Sequence, residues 1–266
     1  MHSAPMPSRR ALLPLLACLA CLALPGLGWA KDTDSNALGF KAYEKGDYKK
    51  AHGLFEKALK QNPDNAYARL NRARTTTLLN KGKEEKDGFE YCDYPSNWIF
   101  RALADLSKAV ELERAAVLPK IDEDQKGLKA LKERGEYLKW RKAVSLLGAE
   151  AGAAEKVLRE TPDWLYEQPA AIPVHISLRP DKKVVTQDHT MEETIAGQWS
   201  LKGGQLEITP ANGKATLWKP VAEQYYFNEG KDFFFDPQLQ PVGEGASGSG
   251  WLGGPLRAGP LLGDCS

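Results

Sequence analysis

Ser35-Asn-Ala-Leu-Gly39-Phe-Lys-Ala-Tyr43-Glu-Lys-Gly46-Asp-Tyr48-Lys-Lys-Ala51-His-Gly-Leu-Phe55-Glu-Lys-Ala58-Leu-Lys-Gln-Asn-Pro63 decides the reading of the first half of the chain. Small and apolar residues recur at three- and four-residue spacing on both sides of Gly46-Asp47, which predicts two helices joined by a tight turn. Gly46 ends the first helix in a left-handed conformation that residues with a Cβ resist. Asp47 is placed to cap the second. Gly39 and Ala51 are small where the two helices must cross at close range, and Tyr48, Phe55 and Ala58 fill the space between them. Pro63 stops the second helix.

In this combination the residues resemble the tetratricopeptide repeat, a helix–turn–helix unit of about 34 residues. A second, split repeat follows. Ala66 to Asn80 has a helical pattern, and Ala102, Leu106 and Ala109 within Arg101–Leu112 correspond to Ala51, Phe55 and Ala58. The resemblance therefore covers residues 35–112, with an insertion at about 81–97. The insertion starts polar and ends in Phe89, Tyr91, Tyr94 and Trp98. Those aromatics either dock on the rest of the protein or form an exposed recognition loop. A long helix over Ile121–Leu147, with Asp122 as its candidate cap, and a shorter one over Ala149–Glu160 are expected to close the array, because about three repeats are needed to bury a continuous core. The helical domain is thus expected to occupy residues 31–165.

In tetratricopeptide stacks the first helix of each pair lines a concave face that receives an extended peptide or a partner helix. The resemblance places Asn36, Phe40, Tyr43 and Glu44 there, followed by Tyr67, Leu70, Asn71 and Arg74. We take Phe40, Tyr43, Glu44, Tyr67, Asn71 and Arg74 as the expected partner-binding residues. Asn71 coincides with an Asn of the carboxylate clamp known in this family. Asn36 stands where that clamp has Lys, and Phe40 where it has Asn, so a C-terminal carboxylate ligand is not expected. The competing reading is that Phe40 and Tyr43 pack on the neighbouring helix.

After Pro162 the helical period gives way to short alternating runs between turn signals. Strands are expected near 173–178, 183–186, 198–201, 205–209, 215–219, 224–227 and 232–235. Turns are expected at Pro180-Asp181, Gly203-Gly204, Asn212-Gly213, Asn228-Glu229-Gly230 and Asp236-Pro237. Together they predict an antiparallel β domain over residues 170–242, either a meander or a small barrel. Gly197–Ile208 is similar to a hairpin of small lipocalin-like bacterial envelope domains. Residues 243–266 form a Gly-rich tail, in which Trp251, Leu252, Leu256, Leu261 and Leu262 are candidate anchors. The fold class is α+β: a short helical solenoid followed by the β domain.

The N-terminus reads as an export signal. Arg9 and Arg10 are followed by an apolar run from Ala11 to Leu24, then by Pro25 and Gly26. Gly28-Trp29-Ala30 sets small residues at the positions that favour cleavage after Ala30. Ser8-Arg9-Arg10-Ala11-Leu12-Leu13 also resembles a twin-arginine signal, and cleavage before Cys18 or Cys21 with lipidation is the competing reading. The expected location is periplasmic or secreted, with no transmembrane span in the mature chain. Removal of residues 1–30 leaves Cys92 and Cys265 as the two thiols, so a Cys92–Cys265 disulfide is expected in an oxidising compartment.

The 266 residues carry 36 Lys and Arg against 35 Asp and Glu, for a net charge of +1, which argues against a nucleic-acid partner. Mean hydropathy is −0.46, which argues against a polytopic membrane protein. Gly248-Ser-Gly-Trp-Leu-Gly253 matches the dinucleotide fingerprint in letters but lacks a following helix and acidic residue. Ser247 and Ser249 lie in no strand-to-helix elbow. His52, His175 and His189 form no pair at metal-ligand spacing. Asp188-His189 with Glu192 and Glu193 could present an imidazole and carboxylates to a metal from one loop, but a solvated hairpin tip explains the stretch at least as well. No catalytic residue, cofactor or metal site is therefore assigned. The expected function is an exported protein-interaction module. The alternative is small-ligand or metal binding in the β domain, through a pocket lined by Trp199, Trp218, Tyr225 and Phe234.

Overall fold

Asp34, Asp47, Asn65 and Asn97 each accept a backbone N–H from two or three residues further on, and a helix starts after each one. The computed structural model describes residues 34–82, 97–166, 174–187, 192–243 and 254–259. Among them the chain order is α1 (Ser35–Glu44), α2 (Tyr48–Gln61), α3 (Ala66–Asn80), α4 (Trp98–Glu123), α5 (Lys129–Lys132), α6 (Gly135–Leu147) and α7 (Ala153–Glu160). Strands β1 (Asp163–Tyr166), β2 (Val174–Leu178), β3 (Lys183–Gln187), β4 (Glu193–Lys202), β5 (Gln205–Pro210), β6 (Thr216–Phe227), β7 (Asp232–Val242) and β8 (Leu256–Ala258) follow.

The α1–α2 hairpin forms for the reasons its sequence suggests. Gly46 adopts φ +80°, and Asp47 caps α2 by accepting the Lys50 N–H at 3.2 Å. A Cβ on Gly39 would stand 2.6 Å from the Phe55 ring, so only glycine allows this crossing. Ala51 and Phe55 are fully buried. α3 packs on α2 and then pairs with α4.

The helix that carries the matched string Arg101–Leu112 continues, across a kink of non-helical dihedrals at Glu113 (φ −143°, ψ 55°), to Glu123. Two expectations fail beyond it. The predicted long helix over Ile121–Leu147 is broken after Glu123. There Asp124 accepts the N–H groups of Lys126 (2.9 Å) and Gly127 (2.6 Å) and turns the chain. Asp122 caps nothing: it lies inside the last turn of α4 and pairs with Arg141 at 3.0 Å.

The expected α+β class, helices followed by an antiparallel meander or small barrel, is what the chain forms. The strands close a barrel in the order β1 to β8, with β8 returning to β1. Two strands escaped the sequence reading. β1 follows α7 almost directly, and β8 is three residues long within the Gly-rich tail. Leu256, one of the proposed tail anchors, is fully buried in that strand. The runs at 215–219 and 224–227 are one strand, β6. The turn expected at Asp236-Pro237 lies inside β7, where Pro237 pairs with Ala222.

The β6–β7 hairpin outreaches the barrel. β5 pairs only with Thr216–Trp218, and β8 only with Gln238 and Leu239. The remainder is a two-stranded arm, and Pro220 and Pro237 sit where one flank has no strand among the described residues to receive an N–H. The arm carries Phe227, Phe233, Phe234 and Phe235 into the same buried cluster as Phe100 of α4 and Trp140 of α6. A second cluster holds Trp164, Ile176, Leu206, Ile208, Trp218 and Leu256 of the barrel with Val157 and Leu158 of α7. Between the clusters, Asp236 is 1% exposed and meets Lys139 of α6 at 3.2 Å and Arg257 of β8 at 3.1 Å. The Arg257 guanidinium also lies 4.1 Å from the Tyr225 ring centre.

Candidate functional site

On α1, Asn36, Ala37, Phe40 and Tyr43 share a face because they are spaced by three or four residues. On α3, Tyr67, Asn71 and Arg74 do the same. These two faces, with the last turn of α4 and residues 124–126, enclose a cleft of about 750 Å³. Phe40 is 40% exposed and Tyr67 38% exposed, so both rings face solvent in the cleft. Phe40 and Tyr43 lie nearly parallel, with centres 6.0 Å apart and planes at 17°. Tyr43 is half-buried and rests on Tyr48 at 5.6 Å.

A polar relay crosses the floor. Asn71 Nδ2 donates to Asn36 Oδ1 at 3.2 Å, and Arg74 Nη1 donates to Asn71 Oδ1 at 3.0 Å. Arg74 Nε donates to Asp124 Oδ2 at 2.5 Å, and Arg74 Nη2 reaches the Lys120 carbonyl at 3.5 Å. Burial pushes the Asp124 carboxyl up, but the hydrogen bond and charge of Arg74, with the N–H groups of Lys126 and Gly127, outweigh it and hold Asp124 below its ordinary value. Burial, and then the Asp124 charge, push the Tyr43 hydroxyl up, so it keeps its proton. Gly127 locks the loop against the helices: a Cβ there would stand 2.7 Å from the Tyr43 hydroxyl and 2.8 Å from Arg74 Cγ.

Of the residues expected on the concave face, Phe40, Tyr43, Tyr67, Asn71 and Arg74 line this cleft. Glu44 does not, and Leu70 is fully buried in the core. Lys120, Glu123, Asp124, Gln125 and Lys126 complete the wall and were missed. Reading Ile121–Leu147 as one helix hid their loop; the turn signal of Asp124 followed by Gly127 was the available clue.

The aromatic residues proposed for a β-domain pocket do not gather. Trp218 belongs to the barrel cluster, with Trp199 packed at its margin, donating Nε1 to the Arg179 carbonyl at 2.9 Å. Tyr225 and Phe234 stack on each other at 5.2 Å on the arm, against the helices. His52 is half-buried, 3.0 Å from Thr75 Oγ1, and burial lowers its pKa. Asp188, His189, Cys92, Cys265 and the insertion from 83 to 96 lie outside the described residues. A second cleft, about 630 Å³, lies between α6 and α7. Two of its charges are met locally: Arg141 by Asp122 and Glu150, and Lys142 by the Glu160 carbonyl at 2.6 Å. Among the described residues no helix is long and apolar enough to cross a membrane.

Residues 35–65 match the family model of the tetratricopeptide repeat. No curated protein and no solved structure matches the chain. The lipocalin-like similarity of Gly197–Ile208 gains no support from these comparisons, although its two halves pair as β4 and β5. The tetratricopeptide repeat is in general a protein-interaction unit and is typically non-catalytic.

Proposed function

We propose that the protein is an exported interaction module that holds a protein or peptide partner in the α1–α3 cleft. The observation that carries this reading is the pair of open aromatic side chains, Phe40 and Tyr67, inside a concave cleft whose polar groups are fixed by an internal relay. Exposed aromatics in a preformed concavity are the usual anchors of binding energy. The purified protein, immobilised and exposed to envelope extract, tests it. Phe40→Ala and Tyr67→Ala are each expected to weaken partner capture by about 1–2 kcal/mol with the melting temperature nearly unchanged. Unchanged capture, or a large fall in melting temperature alone, rejects the reading. Tyr43→Ala is expected to lower stability as well, because Tyr43 packs between Phe40 and Tyr48.

We further propose cleavage after Ala30 and a Cys92–Cys265 disulfide in the exported protein. The order of basic, apolar and small residues before Lys31 supports the first. The survival of only these two thiols after cleavage supports the second. Intact mass of the exported protein, alkylated with and without reductant, reads both. The expected result is a chain that starts at Lys31 and takes up alkyl groups only after reduction. A lipid-bearing start at Cys18 or Cys21 overturns the first proposal, and two alkylated thiols without reductant overturn the second.

A further inference from the structure

The outer face of α2 takes no part in the cleft. α2 buries Ala51, Phe55, Ala58 and Leu59 against its neighbours. With a turn of about 100° per residue, Lys49, Lys50, Lys57 and Lys60 fall within about 100° of one another on the opposite side, along a stripe about 16 Å long. All four are exposed, and none enters an ion pair among the described residues. Lysines elsewhere on the surface are met by acids: Lys108 by Glu111, Lys183 by Asp181 and Lys231 by Glu229. The stripe itself holds no acidic residue. Asp47 stands at the start of α2, where it caps the helix through the Lys50 N–H, and Glu56 lies at the stripe's edge, turned to His52 at 3.6 Å. A chain with 36 Lys and Arg against 35 Asp and Glu has thus gathered positive charge on one side of one helix. Gly53 sits in the middle of the four. A Cβ there would meet nothing within 4 Å, so packing does not ask for glycine. Glycine weakens a helix interior relative to alanine, and what it provides here is a flat spot between four ammonium groups.

The chemistry of the face selects its occupant. Protein interfaces concentrate aromatic residues and arginine and deplete lysine, and this stripe has lysine alone. An ammonium is a compact point charge without the fixed fork of a guanidinium, so four of them impose no particular geometry on what they meet. A bilayer of anionic headgroups needs none, because its charge is spread over a plane and its lipids move to the cations. A duplex also offers phosphates, but a net charge of +1 gives the chain no wider field to hold one. We propose that the lysine face of α2 docks the exported protein on an anionic phospholipid bilayer. The contact is electrostatic and peripheral. It uses no residue that lines the α1–α3 cleft, so it stands whether or not that cleft is the partner site.

Co-sedimentation of the exported protein with vesicles tests the proposal. The vesicles are phosphatidylcholine alone, or phosphatidylcholine with one third phosphatidylglycerol. Binding to the mixed vesicles alone is expected, and it should fall steeply as salt rises. Each lysine near an anionic surface changes the partition by about fivefold, so Lys57→Gln with Lys60→Gln should weaken binding about thirtyfold at low salt. Gly53→Glu sets a carboxylate among the lysines and should weaken it at least about fivefold, whereas Gly53→Ala should leave it unchanged. Lys183→Gln with Lys231→Gln removes the same net charge from paired lysines and should change binding less than about twofold. Melting temperature and Phe40-dependent capture from envelope extract should stay at parent values throughout. Equal binding to both vesicles, or no binding to the mixed ones, overturns the proposal. So does an equal loss in the two lysine pairs, which would make net charge and not this face the cause. Tighter binding to a DNA duplex or to polyglutamate, lost with the same α2 lysines, also overturns it and gives the face to that partner.

Discussion

Ser107 joins three elements through one oxygen. It is fully buried on α4, where its hydroxyl accepts the Trp140 indole N–H of α6 at 2.8 Å and the Phe235 backbone N–H of β7 at 3.3 Å. Ser107→Ala removes the acceptor and strands two buried donors, each worth about 1–3 kcal/mol. We expect a loss of about 2–4 kcal/mol in urea unfolding, with partner capture at the cleft unchanged. An unfolding midpoint equal to that of the parent protein would show that the two donors find other partners. No periodicity marks Ser107 in the sequence, because its importance lies in residues more than thirty and more than a hundred positions away. Gly127 is similar. It reads as an ordinary loop glycine until Tyr43 and Arg74 are seen to leave no room for a Cβ.

At the scale of elements, legibility follows the range of the interactions. The α1–α2 hairpin was readable because its caps, turn glycine and small crossing residues all act within a few positions. Five of the six expected contact residues line one cleft because helix register alone sets them on facing sides. The cleft's third wall was not readable, because the break after Glu123 depends on an Asx turn inside a stretch with helical apolar spacing. The extension of α4 past Leu112 was hidden for a related reason. The dihedrals at Glu113 shift the phase of the helix, so the apolar pattern on either side does not read as one stripe. In the sheet, proline misled. Pro220 and Pro237 argue for turns in isolation, yet both sit inside long strands, on flanks that no described strand occupies. β8 is too short for any alternation to appear, and its identity comes from what it closes.

Taken as a whole, the described residues from Asp34 onward form one compact unit, and the aromatic arm gives the helices and the barrel a common core. Phe234 is the arm's central contact, with Phe100 of α4 at 5.3 Å and Tyr225 at 5.2 Å. We expect a single calorimetric transition, and Phe234→Ala should lower it by about 3–5 kcal/mol while near-ultraviolet and far-ultraviolet signals still melt together. Two separated transitions in the parent protein would contradict the shared core. The barrel's seam sets an order of events in time. Trp164–Tyr166 pair with Leu256–Ala258, partners from opposite ends of the β half. Contacts of that reach form late, whereas the α1–α2 hairpin needs only its neighbours. As synthesis proceeds, the helical hairpins can settle while β1 and β7 still wait with bare edges, exposed to pairing with the wrong chain. Among the described residues, it is the arrival of Leu256, Arg257 and Ala258 that ends that exposure, so a chain that stops just short of them is left with its seam unsewn.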